Sequence, residues 1–172
     1  MFTKTDIEKY FVAFKTENLV LMILGAVAVL LAIFFFVYYK TPWHKGFAVP
    51  VIVFGMMHCI AGYTNYKKAD ALRVKNTYTY DMNPSGLRIQ ELPRLKDFHK
   101  TTNKFIYINI GFLIAAIALF IYFRNKPLGE HYMGVATGLF IMAVITLGSS
   151  FFMQYKTQGY INGIEAFTKE YH

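Results

Sequence analysis

An imidazole and a thiol stand side by side at His58 and Cys59, inside the stretch GMMHCIAGY (Gly55–Tyr63). With Met56 and Met57 they offer soft ligands of the kind that copper(I) or haem iron accepts. His58 is also the one imidazole, carboxylate or cation deep in a long apolar run, and such residues are functional-site hypotheses by default. Spacing argues against a metal. Helical neighbours point about 100° apart, so His58 and Cys59 do not grip one ion. The sequence holds no regular methionine ladder and no second deep histidine to pair across a haem. Two readings stay open for His58. It is a ligand or proton site for a quinone, haem or lipid, or it hydrogen-bonds Asn109, Thr146 or Ser149 and ties helices together.

Other chemistry has less to work with. Hydrolysis or group transfer in a membrane calls for a carboxylate pair, a Ser–His–acid set or a HExxH helix. Asp70, Asp81, Glu91, Asp97 and Glu130 all fall outside the apolar runs. Trp43 and His44 in one turn, and Glu130 and His131 in another, share one end of the molecule without matching a catalytic motif. The single cysteine, Cys59, excludes an internal disulfide and a dithiol relay, and with it kinship to four-helix quinone-linked thiol oxidases. The expectation is a protein without enzymatic activity and without a cofactor or metal.

The elements that position these residues follow from charge. Charged residues make up 16% of the chain, where a soluble domain carries about 25%. Four stretches, 18–39, 46–66, 105–123 and 131–155, lack Asp, Glu, Lys and Arg altogether. Each approaches the roughly 20 helical residues that cross a bilayer core, and none alternates as a barrel strand does. The fold class expected is all-α: a single domain, 1–172, of four transmembrane helices with spans at about 19–39, 46–66, 105–123 and 132–154. GAVAVLLAIFFFVYYKTPWHKGF from Gly25 resembles GFLIAAIALFIYFRNKPLGEHYMG from Gly111, which suggests two tandem hairpins of one orientation. GVATG (Gly134–Gly138) is a GxxxG pattern for close helix packing, within the chain or between two copies.

Fourteen of the eighteen Lys and Arg residues lie in the N-terminal tail, the loop 67–104 and the C-terminal tail. The positive-inside rule places these in the cytoplasm. The net charge of +8 is then a membrane retention signal and requires no nucleic acid. Outside the spans, residues 5–17 are expected as an amphipathic helix with Thr5 and Glu8 at capping-box spacing and Ile7, Phe11 and Phe14 in one stripe. Val74–Tyr80 is β-like, and Asp81–Gly86 is a turn. From Leu87 a charged helix is expected, with Ile89, Leu92, Leu95 and Phe98 on one side and Pro93 as a kink. Ile161, Ile164, Phe167 and Tyr171 mark a last amphipathic face. Such segments anchor to anionic lipid or dock a protein, with Trp43, His44, Arg94 and Phe98 as candidate contacts.

In size, in its two short turns and in the basic loop carrying ELPRLKDF (Glu91–Phe98) before the third span, the chain resembles small four-helix bacterial inner-membrane immunity proteins of membrane-targeting interbacterial toxins. That resemblance implies a bacterial cytoplasmic membrane, a cognate toxin or membrane-complex subunit as partner, and inhibition by occlusion. The alternative function is a small-molecule-binding membrane subunit centred on His58.

Overall fold

The computed structural model describes residues 2–127 and 129–169. It is all-α, with four long helices: α1 (Lys4–Tyr38), α2 (Pro42–Met82), α3 (Leu92–Phe123) and α4 (Gly129–Lys169). A π-helical turn, Leu87–Glu91, leads into α3. All four helices are long and apolar enough to cross a membrane, taking the π-turn with α3. α2 packs along both α1 and α4, and α3 packs along α4. The start of α1, the end of α4 and the α2–α3 connection lie at one end of the bundle, hereafter the terminal end. The connections at 39–41 and 124–127 define the opposite, turn end.

Small residues set how closely the helices approach. A Cβ on Gly25 would lie 2.6 Å from the Gly55 carbonyl oxygen, and one on Gly62 would lie 2.7 Å from the Asn18 carbonyl oxygen, so α1 and α2 meet backbone to backbone. α4 meets α2 the same way. A Cβ at Gly134 would fall 2.0 Å from the Trp43 carbonyl oxygen, and at Gly138 2.6 Å from that of Phe47. Both glycines of the GxxxG pattern therefore face α2 of their own chain. Without a hydrophobic force between helices in lipid, such backbone proximity supplies the dispersion contacts that hold them.

At the terminal end the four elements close over an aromatic core of Phe2, Ile7, Tyr10, Phe11, Leu87, Leu92, Leu95, Tyr160, Ile161, Ile164 and Phe167. Several local expectations need correction here. Val74–Tyr80 is not β-like; α2 runs unbroken through it to Met82. Thr77 and Thr79 donate to the carbonyls of Arg73 and Lys75 four residues back, and Asn76, 2% exposed, donates to Leu72. Tyr80 stacks on Phe167, 4.9 Å between ring centres. Packing of this kind outweighs a helix-propensity deficit of a few tenths of a kcal/mol per residue. The capping box is Thr3 with Asp6, not Thr5 with Glu8. Two hydrogen bonds from Thr3 hold the Asp6 carboxyl below its usual pKa.

The segment before α3 departs furthest. Ile89 is 70% exposed while Glu91 is 4% exposed, the reverse of the expected face. The cause is the π-turn, where the Leu92 N–H reaches back to the Leu87 carbonyl, one residue further than an α-helix allows. Pro93 lacks an N–H, and its ring would crowd the carbonyl four residues earlier. Widening the turn relieves that conflict and rotates Glu91 inward. Leu92 and Leu95 remain buried, as do Ile161, Ile164 and Phe167 on α4. Tyr171 lies outside the described residues.

Candidate functional site

The side chains singled out around His58 do not converge on one centre. Met56 and Met57 are each 53% exposed, whereas His58 is buried. The Cys59 thiol donates to the Met22 carbonyl at 3.5 Å. Among the described residues no three His, Cys, Asp or Glu side chains are grouped to hold a metal. His58, 6% exposed, places its Nε2 2.9 Å from the Thr146 hydroxyl of α4. That hydroxyl already donates its one proton to the Met142 carbonyl at 2.7 Å. Nε2–H must therefore be the donor, and the neutral ring keeps its Nδ1 as a bare acceptor. This Nδ1 is buried without a partner among the described residues.

Asn109 and Ser149 are engaged elsewhere. Asn109 donates to the Phe105 carbonyl of its own helix and leaves its Oδ1 buried and unpaired among the described residues. Ser149 donates to Glu17 of α1 at 2.8 Å. Next to Glu17, Asn18 accepts from the Asn65 amide at 3.0 Å. Gln154 of α4 reaches Asn103 and His99 of α3. Each pair links two helices, so the polar groups of the apolar bundle act mainly as cross-braces. Glu17 was not singled out from the sequence because it sits at the margin of its run.

A second cluster lies in the aromatic core at the terminal end. Glu91 accepts from Arg94 through both carboxylate oxygens, at 2.8 and 2.5 Å. Burial alone would lower the Arg94 pKa, but the hydrogen bond and charge of Glu91 outweigh it and the net shift is upward. Beside the pair, the Tyr10 hydroxyl meets that of Thr157 at 3.2 Å, and the Tyr10 and Tyr160 rings stack at 4.2 Å. Burial holds both tyrosines above their ordinary pKa. The Tyr160 hydroxyl has no partner among the described residues. Glu91 falls outside the apolar runs of the sequence, and no feature of composition marks it as buried.

The candidate contact residues are partly committed inside the chain. Arg94 is tied to Glu91 and lies over the Phe11 ring, and Phe98 packs edge-on against Phe14 at 5.9 Å. At the turn end His44 stacks on Tyr39 at 4.6 Å, and its Nδ1 lies 2.6 Å from the Thr41 hydroxyl. Trp43 stacks on Phe47 at 5.4 Å. His131 donates from Nδ1 to the Pro42 carbonyl, which fastens α4 to the start of α2, while Glu130 is exposed. No family model matches the chain, and no curated protein or solved structure matches it.

Proposed function

We propose that the chain is a multi-pass protein of the bacterial cytoplasmic membrane that acts by binding a protein partner rather than by catalysis. Both termini and the 67–104 segment lie in the cytoplasm, and the two halves form tandem hairpins of one orientation. The specific reading is immunity: occlusion of a membrane-targeting toxin in or at the bilayer. What supports binding is that the polar side chains of the apolar bundle are spent on helix-to-helix pairs, His58 with Thr146, Glu17 with Ser149 and Asn18 with Asn65. Aromatic and basic surface remains at both ends for a partner. Co-expression with a toxic product of the neighbouring gene tests the reading, with survival scored. Rescue by the wild type that is lost in Trp43→Ala/His44→Ala is the expected result; no rescue by the wild type removes immunity from consideration.

A second reading is favoured by one observation. The bare, buried Nδ1 of His58 is an acceptor with no donor among the described residues, which suits a hydroxyl-bearing quinol, a lipid or a haem iron. Purified protein carrying a stoichiometric chromophore that is lost in His58→Gln would establish it.

A further inference from the structure

Where α1 and α4 run side by side at the terminal end, they leave a groove of about 560 Å³. Its floor is the stacked Tyr10–Tyr160 pair, and Phe2 and Phe167 close its far end. Lys9 and Lys156 stand on its walls, near the end that faces the apolar spans. We propose that this groove binds an anionic single-chain amphiphile, with its head at Lys9 and Lys156 and its apolar chain along Gly159, Tyr160 and Phe2.

Charge argues for the anion. Lys4, Lys15 and Lys96 each pair with a carboxylate, whereas Lys9 and Lys156 have none within ion-pair distance among the described residues. Asp6 also lines the groove; its carboxylate accepts from the Thr3 amide and hydroxyl, both at 2.8 Å, and stays charged with Lys9 nearby, so the lining holds two cations against one anion. The Lys156 ammonium leans over the Phe152 ring at 5.5 Å, toward the spans. An anionic head there would meet a net positive lining, with Lys156 as the cation farther along the chain from Asp6.

Shape argues for a chain and against a helix. From Lys156 to Phe167 the α4 wall extends about 16 Å at 1.5 Å per residue. A docked helix needs a trough roughly 10 Å wide, but α1 and α4 already touch through the Tyr10–Thr157 hydroxyl pair and the Phe2–Phe167 rings. A Cβ on Gly159 would meet nothing within 4 Å, so the wall there is bare and open to a ligand. The volume also falls in the range of small-molecule sites, about 300–1,000 Å³.

The test uses the full chain in phosphatidylcholine nanodiscs, with dansylaminoundecanoate as the probe and empty discs subtracted. Saturable enhancement of dansyl emission is expected. Gly159→Leu should weaken binding at least tenfold by filling the bare wall, and Lys9→Gln/Lys156→Gln about tenfold by removing the cations. Gly111→Leu, at an equally bare glycine of α3, should bind as the wild type and report intact folding. Oleate and oleoyl lysophosphatidate should both compete, and the stronger competitor identifies the head as carboxylate or phosphate. Monoolein, which has the same chain and no charge, should compete weakly. Absence of saturable binding, wild-type binding by Gly159→Leu, or equal competition by monoolein would each overturn the proposal. Toxin rescue is scored in cells without the probe, so the two readings fail separately.

Discussion

Tyr10 and Tyr160 share one stack and one core, yet removing their hydroxyls should shift stability in opposite directions. Tyr160 is 5% exposed and its hydroxyl has no partner among the described residues. A buried polar group left unpaired costs about 1–3 kcal/mol. Tyr160→Phe keeps the ring, the stack and nearly all the volume, and should therefore stabilise the protein by about 1 kcal/mol. Tyr10→Phe breaks the 3.2 Å contact with Thr157, a residue with no exposed surface, and strands that hydroxyl. A loss of about 1 kcal/mol is expected. For a chain of this size each kcal/mol moves Tm by about 2–4 °C, so the two variants should lie roughly 4–8 °C apart and on either side of the wild type. Thermal unfolding in one detergent, followed by circular dichroism at fixed pH, resolves that difference. A Tyr160→Phe variant that loses as much as Tyr10→Phe would show that the hydroxyl is hydrogen-bonded after all, and the account of this core would be wrong.

Burial favours the neutral form of both tyrosines, so their pKa values are raised in the folded chain. Unfolded tyrosine loses its proton near pH 10 while the folded groups keep theirs, so stability is full below that pH and declines as pH rises above about 10. The decline, read from Tm across an alkaline series, should be shallower in Tyr160→Phe. His58→Gln and His58→Leu should each cost under about 1 kcal/mol, because interhelical bonds in lipid average about 0.6 kcal/mol and Thr146 keeps its bond to Met142; a larger loss in detergent unfolding would point to a bound group at Nδ1. Gly134→Ala should destabilise by about 1–3 kcal/mol, the usual cost of overpacking, whereas Gly148→Ala, with nothing near its Cβ, should be neutral in the same assay. Arg94→Ala should cost about 3 kcal/mol by leaving Glu91 buried and unpaired, and adding Glu91→Gln should recover part of it.

The long apolar helices were legible because charge-free runs of such length leave few alternatives. So was the inward face of α1, where Ile7, Phe11 and Phe14 recur at helical spacing and are buried. Val74–Tyr80 misled because its β-branched and aromatic residues state a preference of tenths of a kcal/mol, while the packing of Tyr80 on Phe2 and Phe167 depends on distant parts of the chain. Glu91 was illegible for a different reason. A single widened turn rotates every later residue by a fraction of a turn, and helical periodicity assumes that no such insertion exists. The partner of His58 was named only as one of three, since Thr146 and Ser149 are one turn apart on α4 and only the position of Glu17 decides which of them remains free.

α4 runs from Gly129 to Lys169 without a proline, 41 residues or about 60 Å of continuous helix. Its first turns are clamped against Trp43 and Phe47 at Gly134 and Gly138, and its last turns carry Tyr160 and Phe167. Its glycine–serine run, Gly148–Ser150, stays helical, so the helix is continuous from clamp to base. A tilt of a few degrees at the Trp43 clamp moves the far end by several ångströms, and it does so in step with the groove wall at Gly159. One helix thus joins the turn end to the aromatic base.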